Sequence, residues 1–321
     1  MLNMKVYVKT PARLHLGLID LNGDLGRMFG GIGVAIDQPN IILYAQQAEQ
    51  LLVTGKESAL ATQLVQRFFQ TYAVSSSVHL HVEEIIPAHN GLGSGTQFAL
   101  AVATALAKIS GVKVSTSELS LAMGRAQRTG VGTAIFQKGG FVVDGGKKTA
   151  QNATFPPLIY QQPFPRDWRF IVALPNVKKG LFSSEEKSAF TQLPPMPAEE
   201  VAKICRLTMF KLLPALAEKD LESFGEALTA IQIVTGNYFA HVQGGTYSNI
   251  AVAEALAFLK QLGVHGFGQS SWGPAVYGIV KQDKAQETLK KVKNYLAKNV
   301  GGEAFVAKAN NQGATVKITN N

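Results

Sequence analysis

The stretch PAHNGLGSGTQFA, residues 87–99, constrains the fold more than any other part of the chain. It follows residues 77–86, whose apolar side chains alternate as in a half-buried strand, and it precedes an alanine-rich run that predicts a helix from about residue 96 to residue 110. Glycines let a backbone adopt positive φ and approach a ligand closely. A strand, a glycine loop and a helix therefore gather unsatisfied N–H groups and the positive end of a helix dipole at one point. Such a point favours an anion, and phosphate is the first candidate.

The loop does not match two better-known phosphate motifs. No Gly-Lys-Ser/Thr follows it, so it is not a Walker loop. Thr96 stands where the dinucleotide motif requires glycine, and no acidic residue lies about 20 residues further on. Ser94 and Thr96 add hydroxyls that can donate to phosphate or ligate Mg²⁺. A tight turn with close packing is the structural alternative, but three glycines with Ser and Thr before a long helix favour phosphate.

The length and element pattern predict two domains and an α+β fold. The chain has 321 residues, too many for one small core. Mixed strand and helix patterns fill both halves, and a segment with four prolines at residues 152–168 is typical of a linker. We therefore expect an N-terminal domain at residues 1–160 that carries the phosphate loop and a C-terminal domain at residues 161–321.

Charge and cysteine content exclude several classes of function. The formal net charge is +9, but Lys and Arg are scattered, and the densest basic run, residues 281–298, has the apolar spacing of a solvated helix. A phosphate-rich small molecule explains this charge better than nucleic acid does. A single cysteine, Cys205, permits no intramolecular disulfide and fits the cytoplasm. No apolar run approaches the roughly 18 residues of a membrane span, and the N-terminus lacks a signal-peptide pattern, so no membrane association is expected.

Three segments together resemble one enzyme superfamily. TPARLHLGLIDLNGD near the N-terminus, the loop P-x-x-x-G-L-G-S-G beginning at Pro87, and GFGQSSWGPAVYG in the C-terminal half are similar, in this order, to the motifs of the galacto-, homoserine, mevalonate and phosphomevalonate (GHMP) kinases. The resemblance implies a ribosomal-protein-like N-terminal domain, a ferredoxin-like C-terminal domain and an active site in the cleft between them.

A departure from the kinases points to a non-kinase branch. Many of these kinases carry a base aspartate in the segment that corresponds to RTGVGTAIF, residues 128–136, which here has no carboxylate. That segment, PARLHLGLIDLNGDLGRMFGG and ALPNVKKGLFSSEEKSAF resemble the β-ribofuranosylaminobenzene 5′-phosphate synthases. The resemblance implies condensation of phosphoribosyl pyrophosphate with 4-aminobenzoate or 4-hydroxybenzoate, with release of CO₂ and pyrophosphate, in methanopterin biosynthesis.

This resemblance also implies site residues. Departure of pyrophosphate calls for backbone donors, cations and Mg²⁺. Arg27 is expected to hold the benzoate carboxylate, and Asp20 to accept a substrate proton or stabilise the ribosyl cation, although a surface ion pair or turn is the alternative for both. The residues expected to contact substrate or phosphate are Arg13, His15, Gly91, Gly93, Ser94, Gly95, Thr96, Arg125, Arg128, Thr133, Lys178, Ser270 and Ser271. Ser94 and Glu185 are expected to ligate Mg²⁺, and no organic cofactor is expected.

Two other functions stay open at the level of sequence. One is an ATP-dependent kinase of the same superfamily, acting on a homoserine-, mevalonate- or sugar-like acceptor. The other is a non-catalytic protein that binds phosphoribosyl pyrophosphate without turnover. The sequence does not choose between the two aryl acids, and it leaves a homodimer open.

Overall fold

The structure is a computed structural model that describes residues 4–74, 77–150, 155–177, 190 and 193–320. The described strands are β1 (Met4–Asp20), β2 (Arg27–Gln47), β3 (Leu52–Gly55), β4 (Val78–Glu84), β5 (Phe141–Asp144), β6 (Lys147–Lys148), β7 (Leu158–Gln162), β8 (Trp168–Pro175), β9 (His265–Gln269), β10 (Val276–Lys281), β11 (Gly302–Ala307) and β12 (Thr315–Asn320). The described α-helices are α1 (Ser58–Tyr72), α2 (Ser94–Ser110), α3 (Thr116–Ala122), α4 (Val131–Lys138), α5 (Ala198–Leu207), α6 (Leu213–Glu218), α7 (Leu221–Gln243), α8 (Ile250–Gln261) and α9 (Ala285–Lys298), with a π-helical turn at Thr208–Leu212 between α5 and α6. This mixture confirms the α+β prediction.

The strands form two sheets. In the larger sheet the order is β12-β1-β2-β4-β3, while β5 and β6 pair with other parts of β2, and β7 pairs with β5. All of its pairings are antiparallel except that of β3 with β4. The smaller sheet has the antiparallel order β11-β8-β10-β9. The last strand of the chain thus returns to the first sheet, and the predicted boundary near residue 160 falls within β7.

Two elements differ from the local sequence patterns. The patterns predict separate strands at residues 32–36 and 41–49, but β2 is continuous, and its pairing with β1 skips residues 37–40. These unpaired residues contact the C-terminal part of the chain instead, since Asp37 N–H donates to Lys308 O at 3.0 Å. Contacts with the distant end of the chain therefore replace the predicted turn.

The apolar spacing of residues 117–128 predicts a helix with Ser117 as its N-cap, but the helix in the structure, α3, is shorter. It starts one residue earlier, because Ser115 is the N-cap and forms a reciprocal capping box with Glu118. It ends at Ala122, ahead of Gly124, which has φ 68°. The glycine-rich segment after it contains α4, where the pattern predicts only a short segment.

An aromatic cluster joins the two sheets. Phe141 from the first sheet and Trp168 from the second both pack against Phe224 of α7, with ring centroids 6.0 Å and 5.3 Å away. Phe164 lies among them, 5.7 Å from Phe224. All four rings are fully or nearly fully buried, so one continuous core underlies both sheets. In the described part of the chain, no helix is both long and apolar enough to cross a bilayer.

Asp144, at the end of β5, fixes the start of α4. It is 1% exposed, and its carboxylate oxygens accept hydrogen bonds from Gly130 N–H and Gly146 N–H, each at 2.9 Å. Burial raises the pKa of the carboxyl group to about 6, against the opposing effect of these backbone donors. The carboxylate thereby satisfies donors at a helix N-terminus that no helical carbonyl can reach.

Replacing Asp144 by Ala should leave at least two buried N–H groups without an acceptor. We expect the free energy of unfolding, measured in urea, to fall by about 3 kcal/mol. Asp167→Ala is the control, because Asp167 pairs with Lys281 while its side chain is 57% exposed, and its loss should cost less than about 1 kcal/mol. Equal stabilities of the two variants would show that Asp144 does not anchor α4.

Candidate active site

The three sequence motifs meet at Ser270, whose side chain is completely buried. Its hydroxyl donates to Gly91 O at 2.6 Å and accepts from His15 N–H at 2.9 Å. Ala275 N–H, in the same loop as Ser270, donates to Asn90 O at 3.2 Å. One hydroxyl therefore ties together strand β1, the glycine loop before α2, and the loop between β9 and β10.

The glycines of the loop leave no space for side chains. An added Cβ would lie 2.2 Å from Ser270 O at Gly91 and 2.5 Å from Arg13 Cγ at Gly93. Both residues also have positive φ, 81° and 80°. Close packing, the structural alternative for this loop, is thus part of the reason for its glycines, and it brings the backbone against the neighbouring segments.

The start of α2 presents donors and no negative charge. The first helical hydrogen bond runs from Gln97 N–H to Gly93 O at 3.2 Å, so the N–H groups of residues 94–96 precede the helical ladder. The first turn contains no acidic residue. These donors and the helix dipole favour an anion beside Ser94, Gly95 and Thr96.

Two arginines reinforce this positive field. The Nη2 atom of Arg125 lies 3.2 Å from the position of a Cβ on Gly95, so its guanidinium covers the first turn of α2. Arg67, which the sequence patterns did not single out, donates from Nε to Ala122 O at 2.8 Å. Burial, and secondly the charge of Arg67, lower the pKa of Arg125. Among the described residues neither arginine has a carboxylate partner, and the buried Arg125 Nε has no acceptor.

Arg13 and His15 follow each other on one side of β1. Arg13 donates from Nη1 to Gly91 O at 2.9 Å and from its backbone N–H to Leu92 O at 3.0 Å. His15 is 9% exposed, and burial, together with the charge of Arg13, lowers its pKa to about 3. The imidazole beside the glycine loop is therefore neutral at physiological pH.

Asp20 and Arg27, the predicted catalytic pair, lie at the two ends of the β1–β2 hairpin tip. Asp20 Oδ1 accepts from the N–H groups of Asn22 and Gly23, at 2.8 Å and 2.9 Å. Arg27 donates from Nε to Gly145 O and from Nη2 to Gly146 O, both at 2.8 Å. Both side chains are half-buried, and each shapes a turn, whatever contact it makes with substrate.

A group of aromatic rings, which the sequence analysis did not find, lies beside Ser270. Phe190 packs edge-to-face against Phe29 of β2, Phe239 of α7 and Trp272 of the β9–β10 loop, with centroids 5.7 Å, 5.3 Å and 6.0 Å away. The guanidinium of Arg128 lies 4.2 Å from the Phe190 centroid. Within the sequence, the only sign of this group is an ordinary scatter of aromatic residues, because four separate segments supply it.

The remaining residues predicted to contact substrate or metal lie in several different surroundings. Thr133 is 1% exposed and shares a hydrogen bond with Ser120 at 2.8 Å, so its hydroxyl faces α3. Thr96 packs against Gly132, where a Cβ would lie 2.8 Å from Thr96 Cγ2. Ser271 has φ 55°, and its carbonyl accepts from Gln269 Nε2 at 2.9 Å. Lys178 and Glu185 lie outside the described residues.

The described residues contain no group of three or more His, Cys, Asp and Glu side chains placed to hold a metal ion. Ser94, at the first position of α2, is the predicted Mg²⁺ ligand that the structure describes. Mg²⁺ commonly takes few protein ligands and completes its shell with substrate phosphates and water. A hydroxyl in the first turn of α2, where the N–H donors favour an anion, is consistent with that pattern.

Fold and site define the class of protein. Residues 59–136 match the family described as GHMP kinases N terminal domain, and residues 212–298 match GHMP kinases C terminal. The structure is similar to a galactokinase from Lactococcus lactis complexed with galactose, with a TM-score of 0.69, 14% identity and coverage of 97% of this chain and 95% of that chain. It is also similar to a homoserine kinase from Cytophaga hutchinsonii, with a TM-score of 0.66, 16% identity and coverage of 98% and 97%. The chain therefore has the GHMP kinase fold, as its motifs predict.

Sequence relatives define the branch within that class. A β-ribofuranosylphenol 5′-phosphate synthase from Archaeoglobus fulgidus is 32% identical over 327 residues, covering 97% of this chain and 99% of the relative. One from Methanothermobacter thermautotrophicus is 30% identical over 299 residues, covering 87% and 90%. A homoserine kinase from Methanococcus maripaludis is 25% identical, covering 82% and 86%. The chain belongs to the β-ribofuranosylphenol 5′-phosphate synthase family, which confirms the resemblance seen in its motifs.

Gly91→Ala should damage the junction of the three motifs. The new Cβ would collide with Ser270 O, so we expect affinity for pyrophosphate, measured by titration calorimetry, to fall about ten-fold or more. Gly111→Ala is a matched control at the other end of α2, since Gly111 also has positive φ, 68°, but open space around it. The strained φ should cost each variant about 1–2 kcal/mol of stability. Gly91→Ala should lose more because of the collision with Ser270 O, and it alone should also lose affinity. Equal losses of pyrophosphate affinity in Gly91→Ala and Gly111→Ala would contradict binding of the anion at the glycine loop.

His15 should make the protein sensitive to acid. Its pKa is about 3 in the folded state and 6.5 ordinarily, so the folded state binds this proton more weakly than the unfolded state does. Its stabilising contribution is complete above about pH 6.5 and is lost as the pH falls, by up to about 1.4 kcal/mol per pH unit. Urea unfolding of the wild type and His15→Gln between about pH 7 and pH 4 measures this effect. The variant should show the flatter pH dependence, and parallel curves would refute the assignment.

Proposed function

We propose that this protein is an enzyme that joins phosphoribosyl pyrophosphate to a 4-substituted benzoate, with release of CO₂ and pyrophosphate, in methanopterin biosynthesis. The observation that carries the proposal is the start of α2, where backbone N–H donors lie beside Arg125 and Arg67 and neither arginine has a described carboxylate partner. Membership of the synthase family supports the reaction type. Since its relatives are named for a ribofuranosylphenol, 4-hydroxybenzoate is the first aryl acid to test, and 4-aminobenzoate the second.

The anion site suits a leaving group that gains charge. As the C–O bond between ribose C1 and pyrophosphate breaks, the electron pair departs with pyrophosphate and leaves an oxocarbenium-like ribosyl centre. Donors that are already oriented toward the departing oxygens stabilise this charge without reorganisation. We assign this role to the N–H groups of residues 94–96, which precede the helical ladder, and to the Arg125 guanidinium beside Gly95.

The aryl acid then attacks through the ring carbon that bears its carboxylate. A C–C bond forms to ribose C1, the bond to the carboxylate carbon breaks, its electrons restore the aromatic ring, and CO₂ leaves. Loss of the proton from the para hydroxyl or amino group pushes electrons toward the attacking carbon, and that proton returns once the ring is aromatic again. We propose Asp20 as the carboxylate that accepts it, since Asp20 is half-buried at the hairpin tip and opposite Phe29.

Mg²⁺ is the cofactor that we propose. A solved neighbour with the same fold was determined in complex with MVAPP, AMPPCP and magnesium, at 15% identity and a TM-score of 0.64. When bound, the ion would neutralise pyrophosphate charge. In this chain the Ser94 hydroxyl would contribute one ligand, while Arg125 and the residue 94–96 N–H groups bind and orient the phosphate oxygens.

The kinase alternative has weaker support, because residues 128–136, the segment that carries the base aspartate in many related kinases, contain no carboxylate here. Asp144, at the end of β5, does place a carboxylate beside the start of α4. Its oxygens, however, accept from Gly130 and Gly146, and the residue is 1% exposed. We therefore assign Asp144 to holding the start of α4 rather than to proton transfer from a substrate hydroxyl. We also propose a cytoplasmic location, on the ground of the single Cys205.

Carboxyl-labelled 4-hydroxybenzoate or 4-aminobenzoate, with phosphoribosyl pyrophosphate and Mg²⁺, should release labelled CO₂ and equimolar pyrophosphate. Arg125→Ala should raise the KM for phosphoribosyl pyrophosphate by about ten-fold or more, because a buried charged contact to phosphate is lost. Arg206→Ala, an exposed change on α5, should leave both KM values unchanged.

The outcomes of this assay separate the candidate functions. Absence of labelled CO₂ with both aryl acids would refute the synthase. ADP formation from ATP with a homoserine, mevalonate or sugar acceptor would establish the kinase instead. Binding of phosphoribosyl pyrophosphate without turnover in any of these reactions would indicate a non-catalytic binding protein.

A further inference from the structure

Arg125 and Arg128 are three residues apart in the chain but have different surroundings. Arg125 covers the first turn of α2, whereas the Arg128 guanidinium lies 4.2 Å from the centroid of Phe190. Phe190 in turn contacts Phe29 and Trp272 edge-to-face. The sequence analysis expects both arginines to contact phosphate. In the structure, Arg125 lies beside the first turn of α2, whereas Arg128 lies beside aromatic rings.

We propose that Arg128, Phe190, Trp272 and Phe29 form the subsite for the aryl acid, with Arg128 binding its carboxylate and the rings contacting its benzene ring. This inference rests on the proposed function and identifies which residues select its second substrate. Phe29, Phe190, Trp272 and Arg128 are all half-buried, so each retains accessible surface for a ligand. A flat acid has both an apolar face and a charged edge, and this group offers a counterpart for each.

The chemistry of a stacked guanidinium suits a benzoate. A guanidinium on an aromatic face directs its N–H donors sideways, in a fork that matches a carboxylate. The aromatic neighbours also lower the water content around the pair, which strengthens the charge-assisted hydrogen bonds. An aryl ring beside the same guanidinium would extend the edge-to-face arrangement that Phe190 already has with Phe29 and Trp272.

Arg27, the residue expected from the sequence to hold the carboxylate, has other contacts. Its Nε and Nη2 atoms donate to Gly145 O and Gly146 O at 2.8 Å. The pair of donors that Arg27 would use for a bidentate contact to a carboxylate is therefore already bonded to the backbone that follows β5. Arg128 is the arginine that the structure places among aromatic side chains.

The position of the aromatic group also suits the reaction. Trp272 follows Ser270 by two residues, so their Cα atoms are within about 7 Å of each other. Ser270 contacts Gly91 of the phosphate-binding loop directly. On the other side, Phe29 pairs in register with Asp20. An aryl acid at this group would thus lie between the site of the leaving pyrophosphate and the proposed proton acceptor.

Titration calorimetry with 4-hydroxybenzoate and its neutral isostere 4-hydroxybenzamide tests the inference without requiring turnover. Wild-type protein should bind the acid about ten-fold or more tightly than the amide, and Arg128→Ala should bind both within about two-fold, since the charge that distinguishes them has lost its partner. Arg128→Lys should retain only part of the preference, because an ammonium cannot replace the planar fork. Trp272→Ala should weaken acid and amide equally, since both present the same ring.

Arg27→Ala and Arg206→Ala are the controls, and both should keep the preference for the acid. The ratio of two affinities in one preparation does not depend on the fraction of folded protein, so a loss of stability cannot imitate the expected result. In the CO₂-release assay, Arg128→Ala should raise the KM for the aryl acid by about ten-fold and leave that for phosphoribosyl pyrophosphate within about two-fold.

The outcomes distinguish this inference from the proposed function. Selective binding of the acid that depends on Arg128, without CO₂ release, would refute the function and retain the subsite. CO₂ release by the wild type with an unchanged aryl-acid KM in Arg128→Ala would retain the function and overturn the subsite. Loss of the acid preference in Arg27→Ala but not in Arg128→Ala would also overturn it, and a rise in the KM for phosphoribosyl pyrophosphate alone would return Arg128 to the phosphate.

Discussion

The buried hydroxyl of Ser270 connects the parts of the molecule on which the site depends. It accepts from His15 N–H and donates to Gly91 O, so segments more than 170 positions apart in the chain share one pair of hydrogen bonds. Because Ser270 is fully buried, the loss of either bond would leave a buried polar group unsatisfied. This contact sets the position of the glycine loop, and through it that of the first turn of α2. It also explains why Gly91 has no space for a side chain.

The distribution of charge around that junction determines what the site can hold. Arg125 and Arg67 lie close enough to affect each other, and no described carboxylate neutralises either. Asp144, which lies at the next helix N-terminus, is occupied by backbone donors. Positive charge that is left uncompensated in this way is costly unless an anion binds. These features of the described residues suit a polyanionic ligand, which agrees with the proposed phosphoribosyl substrate.

Elements with strong local signals were predicted well. The apolar spacing of residues 57–72 predicts a helix, which is α1, and the alternation in residues 77–86 predicts a strand, which is β4. The alanine-rich run that follows the glycine loop corresponds to α2. Errors arose where distant contacts override a local pattern, as in β2, where Asp37 binds Lys308. Another arose at α3, where the Ser115 capping box starts the helix one residue before the predicted cap at Ser117. In the site, Arg67 was missed because it belongs to an ordinary helical pattern and becomes relevant only beside Arg125.

The glycine loop, the α+β class and the family could all be read from the sequence, because glycine spacing, periodicity and motif order are local or linear properties. The contacts of the charged side chains, in contrast, depend on the folded structure. It placed Arg125 against α2 and Arg128 against Phe190, although the two are three residues apart. In the folded structure Arg27 also donates hydrogen bonds to two backbone carbonyls, Gly145 O and Gly146 O. The partner of a side chain depends on which distant segments fold against it, and one sequence does not encode those neighbours in any local pattern.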